Sequence, residues 1–359
     1  MNPTINNSHL PTVVIIVPSY LGLEDLRRCL DSVAGSSYPN QKTIVVDNNS
    51  GPTVTAAVTA EFPWVELITL SKNTGFAGAC AEAWTRVNKL GGPYALLLNQ
   101  DALIEPNTLE LLVGFLEKNV EVAAVQPIIL RAPENQLINS LGNCINYLGF
   151  GYSFGDGLNL HDKSVAHLLS KPSEIAYGSG AALLIRVSAL KGQELFDRDF
   201  FMYHEDLDLG WRLRLLGLKS FLVPEARARH RYDFHRSSRI KYEYGERNRF
   251  MVLLQNYHWA TLLAIFPAWL VMEIGVVAFS ILHGWFGAKI KGYYYVWRYL
   301  PKILSRRRSI QKTRRLKERA VVNIWRGDIL YQEGPSLMLS LLNPFFSLYW
   351  SLIKRIIYW

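Results

Sequence analysis

Short apolar runs alternate with amphipathic segments along the first half of the chain. The runs are four to six residues long, as strands buried on both faces usually are, and cover residues 13–17, 43–46, 65–70 and 94–98. The segments between and after them repeat apolar positions at helical spacing and cover residues 23–34, 53–62, 76–89 and 106–118. This alternation predicts an α/β fold with a mostly parallel sheet and helices on both faces.

Polar residues follow three of these strands where each strand ends. They form the segments Pro18-Ser19-Tyr20, Asp47-Asn48-Asn49-Ser50 and Asn99-Gln100-Asp101. In an open α/β sheet the ligand crevice lies outside the carboxyl ends of the strands. Turn chemistry accounts for any one of the segments, but three in succession favour a binding site at this edge.

Three carboxylates fall within four residues at the start of a predicted helix, residues 207–216. They are Glu205, Asp206 and Asp208. Helix capping is the plain interpretation, but it explains one acid better than three. A carboxylate beside other carboxylates can have a raised pKa and act as a general base. Asp206 and Asp208 lie about 200° apart on a helix, so Asp208 is expected to pair locally with Arg212.

Composition divides the chain into a polar tail, a mixed body and a basic, apolar end. The 359 residues are 49% hydrophobic with mean hydropathy +0.06, and the net charge is +9. Much of that charge lies between residues 289 and 319, which hold twelve Lys and Arg and one Glu. The three cysteines show no ligand spacing, which favours a reducing compartment. Residues 1–11 contain no apolar signal core, so the chain is expected in the cytoplasm.

An apolar stretch at residues 260–282 contains one charge, Glu273, and one proline, Pro267. Its length suits a membrane span. Basic residues on both sides argue against a single crossing, so a hairpin bent near Pro267, re-entrant or interfacial, is favoured. Residues 337–353 form a second interfacial candidate. The alternative is that these two helices pack on the catalytic domain or on a second subunit. The basic run could also bind nucleic acid, but no recognition motif accompanies it.

Ordered motifs along residues 13–250 resemble family 2 glycosyltransferases with a GT-A fold, in the rhamnosyltransferase-like branch. The motifs are Pro18-Ser19-Tyr20, Asp47-Asn48-Asn49-Ser50, Asn73-Thr74-Gly75-Phe76-Ala77-Gly78, Leu98-Asn99-Gln100-Asp101, Gly178-Ser179-Gly180-Ala181, Glu205-Asp206-Leu207-Asp208 and His230. The resemblance implies three regions: the tail at 1–11, a GT-A domain at 12–250, and membrane-associated helices at 251–359 that include the basic segment 289–319.

The resemblance assigns the strand ends and the first glycine-rich helix to the nucleotide-sugar donor. Pro18 and Tyr20 would line the base, and Asp47 would bind the base edge or the ribose. Small residues let a helix N-terminus approach a diphosphate, although ordinary helix-start geometry would also explain the glycines. The remaining donor residues are Asn73, Gly75, Gly78, Asn99 and Gln100.

The same resemblance implies a divalent cation, Mg²⁺ or Mn²⁺, held by Asp101 and His230. Hard cations favour oxygen ligands and need few from the protein when phosphates supply the rest. Asn99 stands where the family pattern has an acid, which removes one formal charge. A zinc site built from His204, His230 and His235 is disfavoured, since no cysteine or close ligand pair supports it.

Asp206 is implied as the general base of an inverting transfer, and the acceptor would lie against Gly180, Ala181, Glu205 and Trp211. A two-carboxylate hydrolase built on Glu205 and Asp208 is an alternative. Residues 231–239 are a candidate lid over the diphosphate.

The expected function is sugar transfer at the cytoplasmic face of a membrane. The donor is expected to be dTDP-L-rhamnose or a similar nucleotide-diphosphate sugar. The acceptor is expected to be a polyprenyl-diphosphate-linked glycan used for surface polysaccharide, with membrane lipid but no nucleic acid as a partner. A nucleotidyltransferase, or an inactive scaffold of a polysaccharide assembly complex, are the alternatives. A nucleotidyltransferase would need a basic, glycine-rich phosphate-binding loop after the first strand, and this sequence has none there.

Overall fold

The computed structural model describes residues 10–133, 136–190, 192–231, 238–330 and 337–359. Nearly all of the predicted polar tail, and most of the candidate lid with its His235, therefore lie outside the described residues.

One large twisted sheet forms the centre of the protein, in the order β10-β12-β6-β11-β4-β1-β2-β3. β5 pairs with β12, β7 pairs with β6, and β8 and β9 form a separate hairpin. The strands are β1 Val13–Ser19, β2 Gln41–Asp47, β3 Glu66–Thr69, β4 Tyr94–Leu98, β5 Ala102–Ile104, β6 Val122–Arg131, β7 Ile138–Ser140, β8 Asn143–Ile145, β9 Gly151–Ser153, β10 Ser173–Ile175, β11 Ala182–Arg186 and β12 Lys219–His230.

The first four strands are mutually parallel, and helices cover both of their faces. Alternate residues of β1 enter different cores: Val14 and Ile16 face one, Val13 and Ile15 the other. Burial on both sides is why these strands are continuously apolar. The helices are α1 Leu23–Ala34, α2 Pro52–Glu61, α3 Gly75–Leu90, α4 Thr108–Lys118, α5 Lys163–Ala166, α6 Glu205–Leu215, α7 Ser238–Asn256, α8 Trp259–Leu282, α9 Phe286–Arg298, α10 Leu300–Thr313, α11 Glu318–Val321 and α12 Leu337–Ile356. The predicted α/β fold with a mostly parallel sheet is confirmed.

The sequence did not predict β6, a central strand that is buried along nearly its whole length. Gln126 and Pro127 interrupt its apolar run. Gln126 is nevertheless fully buried: its Nε2 donates to Ser140 Oγ at 3.1 Å, and its Oε1 accepts the backbone N–H of Ser179 at 2.7 Å. A buried polar side chain with partners is compatible with a core strand, although it breaks the hydropathy pattern.

The C-terminal helices pack against the α/β part of the chain, residues 10–256, rather than standing apart from it. α8 continues through Pro267 without a break, so the predicted hairpin bend at Pro267 is wrong. The chain turns instead after residue 282, where Gly284 adopts a positive φ of 74°. The predicted boundary at residue 250 falls inside α7. Among the described residues, α8 is the single helix long and apolar enough to cross a membrane.

Much of the basic segment 289–319 is engaged in contacts within the protein. Lys289 pairs with Glu246 and with Glu273, and Lys302 pairs with Asp199. Arg306 lies 3.0 Å from a carboxylate oxygen of Glu194. The segment therefore joins the C-terminal helices to the α/β part of the chain, and it also adds positive charge to the surface.

Candidate active site

The loop before α6 places the acidic helix and has an unusual backbone. Phe201, Tyr203 and His204 have φ angles of 62°, 68° and 69°, which non-glycine residues adopt rarely. Such conformations cost about 1–3 kcal/mol each and persist where the surroundings fix them. Left-handed residues immediately before a helix with three acids indicate a functionally constrained loop.

Two adjacent residues of α7 hold this loop. The Asn248 side-chain amide donates to the carbonyl of Phe200 at 2.9 Å and to that of Tyr203 at 2.7 Å. The Arg247 guanidinium donates to the same Phe200 carbonyl at 2.8 Å. Asn248 is fully buried, and it also reaches the carbonyl of Met202. These bonds satisfy carbonyls that the irregular loop leaves without helix or sheet partners.

The same loop meets the N-terminus of α3. The Phe201 carbonyl accepts the backbone N–H of Ala77 at 3.0 Å. Gly75 has a φ of 72°, and a Cβ there would lie 2.2 Å from the Phe201 oxygen. Only glycine fits this contact, which couples the predicted donor helix to the acidic helix.

Asp206 lies at the N-terminus of α6 with its carboxylate in the cleft. One oxygen accepts the backbone N–H of Leu207 at 2.8 Å, and the other accepts that of Gly180 at 3.3 Å. Burial raises the pKa of Asp206 to about 6, and these two backbone bonds act in the opposite direction. A pKa near 6 keeps the group ionised at neutral pH while leaving it basic enough to accept a proton.

Glu205 lines the same cleft and is 7% exposed. Its Oε2 is buried and has no hydrogen-bond partner within the described part of the chain. Burial, and secondly the charge of Asp206, raise the pKa of Glu205 well above its ordinary value. Of these two neighbouring carboxyls, Glu205 is therefore the one that keeps its proton and Asp206 the one that ionises.

Asp208 and Trp211 face the interior. Asp208 pairs with Arg212 at 2.7 Å, which confirms the predicted i,i+4 contact, and also accepts the side-chain amide of Asn256 at 2.9 Å. Asp208 is fully buried and cannot serve in a two-carboxylate hydrolase. Trp211 is 0% exposed and packs edge-on against Tyr257. Trp211 is therefore a core residue, and the expectation that it contacts the acceptor is wrong.

Asp101 and His230 come together at the carboxyl edge of the sheet. His230 Nε2 lies 3.2 Å from Asp101 Oδ1, and Nδ1 lies 3.2 Å from Asn139 Oδ1. In the tautomer with its proton on Nδ1, the ring donates to Asn139 Oδ1, and the Nε2 lone pair lies on the side of Asp101 and Asn99, whose Nδ2 is 3.3 Å away. Asn99 Oδ1 is buried nearby and finds no hydrogen-bond partner among the residues that the structure describes. This set of one nitrogen and two oxygen atoms fits a divalent cation.

The zinc alternative of His204, His230 and His235 includes one residue, His235, that lies outside the described residues. No group of three or more His, Cys, Asp or Glu side chains able to hold a metal occurs among the described residues. His204 lines the cleft wall with its Nε2 buried, and this burial lowers its pKa to about 4.

A cleft of about 750 Å³ joins most of the predicted catalytic and acceptor residues. The predicted residues that line it are Asn99, Gly180, Ala181, Glu205, Asp206 and His230. Phe76, Tyr177 and Asn139 also line it and were not predicted. Phe76 stood inside the glycine-rich motif, whereas Asn139 had no sequence signal.

The predicted donor residues other than Asn99 lie outside the lining of this cleft, and hydrogen bonds hold several of them in place. Tyr20 and Gln100 bond reciprocally, with the Tyr20 N–H donating to Gln100 Oε1 at 2.9 Å. Asp47 is fully buried and its carboxylate accepts the Ser50 N–H and the Thr55 hydroxyl, so it shapes the turn.

Asn48, which sequence reasoning left without a role, fastens the Asn73 loop. Its Nδ2 donates to Asn73 Oδ1 at 3.0 Å and to the Gly75 carbonyl at 3.1 Å, and its Oδ1 accepts the Thr74 N–H. Gly78 lies one turn into α3, where a Cβ would collide with Thr74. Pro18 is in β1 beside this cluster.

Residues 14–192 match the family model described as glycosyl transferase family 2. The chain carries a family 2 glycosyltransferase domain. Proteins named N-acetylglucosaminyl-diphospho-decaprenol L-rhamnosyltransferase, from two strains of Mycobacterium tuberculosis, are 26% identical to it over 235 residues. The match covers 62% of this chain and 75% of theirs. The predicted family and its rhamnosyltransferase-like branch are confirmed.

Solved glycosyltransferase structures share the fold. GalNAc-T7, crystallised with UDP, GalNAc and Mn²⁺, aligns with a TM-score of 0.54 and 14% identity, over 69% of this chain and 48% of that one. Residues 1–349 of S. aureus TarS align with a TM-score of 0.51 and 15% identity, over 96% of this chain and 88% of that one. At these identities the likeness establishes the GT-A fold alone.

Proposed function

We propose that this glycosyltransferase moves L-rhamnose, with inversion, from dTDP-L-rhamnose to a polyprenyl-diphosphate-linked glycan. The observation that carries the proposal is the position of Asp206, a half-buried carboxylate whose pKa burial raises to about 6, in a cleft that also contains Gly180 and His230. The mycobacterial relatives, named for rhamnosyl transfer to a decaprenyl-diphosphate sugar, support the donor and the acceptor class.

Asp206 would accept the proton of the acceptor hydroxyl as that oxygen forms its bond to the anomeric carbon. The bond from this carbon to the diphosphate oxygen breaks, and the nucleoside diphosphate leaves with the electron pair. A single base, Asp206, acting opposite a departing diphosphate supports a single displacement with inversion. General-base catalysis of this kind contributes about 10²–10⁴-fold.

Asp101 and His230 would hold a divalent cation, Mg²⁺ or Mn²⁺, which supplies positive charge near the donor diphosphate. Asn139 would fix the ring of His230, and Asn99 Oδ1 would add a neutral oxygen. Glu205, uncharged, would donate a hydrogen bond to the acceptor without repelling the ionised Asp206.

We further infer that α8 lies along the membrane surface at the cytoplasmic face instead of crossing the bilayer. Glu273, midway along α8, pairs with Arg249 at 2.6 Å and with Lys289. Arg249 is next to Asn248, which holds the loop before α6. The middle of α8 therefore lies against the α/β part of the chain. A crossing α8 would draw the active site into hydrocarbon, where charged groups are costly.

Nucleoside diphosphate release from a panel of nucleotide-sugars tests the proposal. The assay uses membranes that carry polyprenyl-linked acceptors, with and without Mg²⁺ or Mn²⁺. Release from dTDP-L-rhamnose that requires both acceptor and metal is expected. Release from no donor by folded, membrane-bound protein would contradict transfer and favour the scaffold alternative.

A further inference from the structure

The cleft that contains Asp206 continues into an apolar limb between the C-terminal helices. We define this apolar limb by its lining side chains Met272, Val276, Phe279, Trp285, Ile329 and Leu339. The first three stand at i, i+4 and i+7 of α8, and therefore form one stripe of that helix. A sugar-binding wall needs hydrogen-bonding groups, and the limb instead presents hydrocarbon and aromatic surface.

We propose that the apolar limb binds the isoprene units next to the diphosphate of the lipid-linked acceptor. This inference rests on the proposed function and names where its acceptor lies. The limb and Asp206 share one cleft, so a molecule with a sugar at one end and a hydrocarbon chain at the other can occupy both. Lys241, on the stretch of α7 that lines the same cleft, brings positive charge suited to the intervening diphosphate.

The outer surface of the same helices offers a path for the remainder of the lipid. A cleft of about 750 Å³ is too small for a complete long polyprenyl chain together with a sugar donor. On α8, Leu270, Ile274 and Ile281 are 44%, 63% and 58% exposed, and on α12 Leu341 is 72% exposed. An apolar surface of this kind, on the same helices that line the cleft, suits contact with lipid.

The structure also offers a matched pair of positions for a test. Val276 lines the limb, whereas Ile274 lies two residues away and about 200° around α8, facing outward. Val276→Trp fills the limb, and Ile274→Trp places the same ring on the exposed face. The full-length protein is assayed in detergent micelles, so that vesicle binding does not contribute.

The measurement is the ratio of kcat/KM for a long-chain polyprenyl-diphosphate acceptor to kcat/KM for the same glycan diphosphate on a short alkyl chain. We expect Val276→Trp to lower this ratio about tenfold, and Ile274→Trp to change it less than about twofold. An unchanged ratio in Val276→Trp, with donor binding retained, would overturn the inference, and so would an equal fall in both variants.

Binding of a sugar-free polyprenyl diphosphate separates this inference from the proposed function. If the wild-type protein transfers sugar to neither acceptor, the function is wrong, yet the limb is still tested. The dissociation constant for the wild type is then compared with that for Val276→Trp. An increase of about tenfold or more supports the lipid site; equal constants, or no binding to the wild type, overturn it.

Discussion

The side-chain amide of Asn248 donates to the backbone carbonyl of Tyr203 at 2.7 Å, three residues before Asp206. This contact joins α7 to a loop whose left-handed residues would relax without it. The orientation of Asp206 is thus set by a residue that touches neither donor nor acceptor in the proposed reaction.

Asn248→Ala is expected to lower kcat about 10²-fold while changing the donor dissociation constant little, because a displaced base slows proton transfer more than it weakens binding. Single-turnover rates and donor titrations measure the two quantities. Leu112→Ala, at a fully buried position of α4, serves as a control that loses stability without touching the loop. An equal loss of kcat in both variants would show that Asn248 affects catalysis only through the stability of the protein.

Asn139→Ala is expected to raise the metal concentration for half-maximal activity about 10–100-fold, because Asn139 fixes the ring that would ligate the cation. Titration with Mn²⁺ at saturating donor measures the shift. Saturating metal should restore most of the rate. A lower rate at all metal concentrations, with the half-maximal point unchanged, would contradict a role in metal binding.

Acceptor-dependent transfer is expected to rise with pH through about 6 and then level off. The pKa of Asp206 is raised to about 6 by burial, and only its ionised form can accept a proton. Initial rates between pH 5 and pH 8, at saturating substrates and metal, give the profile. A transfer rate that does not change across pH 6 would show that proton acceptance by Asp206 does not limit the rate, and would contradict this prediction.

The same pKa shift predicts how folding stability depends on pH. The folded-state pKa of Asp206 is above its unfolded value, so its contribution to the free energy of unfolding is greatest at low pH. That contribution is lost as pH rises through about 6. Asp206→Asn should therefore raise Tm relative to wild type at pH 7.5 more than at pH 5. An equal difference at both pH values would argue against a buried, ionising Asp206.

Replacing two exposed leucines of α12, Leu348 and Leu352, by Asp is expected to release the protein from anionic vesicles with little change in Tm. These side chains are 63% and 52% exposed, so the change removes apolar contact with lipid rather than core packing. Vesicle co-sedimentation measures it. Val120→Asp, at a 79% exposed position preceding β6, is the control and should leave vesicle binding intact.

Local spacing allowed some contacts to be predicted, and tertiary packing decided the others. Asp208 and Arg212 are four residues apart on one helix, and their pairing follows from helical geometry. Asp206 and Trp211 are about 140° apart on that helix, which explains why Trp211 enters the core. The positive φ angles of Phe201, Tyr203 and His204 could not be predicted from a glycine at these positions. Arg247 and Asn248 impose this conformation through bonds to Phe200 and Tyr203, which lie 47 and 45 residues away in the sequence.

The family pattern, rather than spacing, brought Asp101 and His230 together in the prediction, since no local rule relates residues so distant in sequence.

The membrane segment shows a different limit of prediction from sequence. Hydropathy detected α8, but its buried stripe with Glu273 depends on Arg249 and Lys289, which come from other helices. Composition alone therefore left a crossing and a surface helix open.

The most direct test of the proposed mechanism is the rate of sugar transfer by Asp206→Asn, measured in a single turnover with donor, acceptor and metal saturating. The substitution keeps the shape of the side chain and removes its basicity. We predict a fall of at least about 10²-fold, with the donor dissociation constant unchanged. Transfer at a rate close to wild type would show that another group accepts the proton, and would contradict Asp206 as the base.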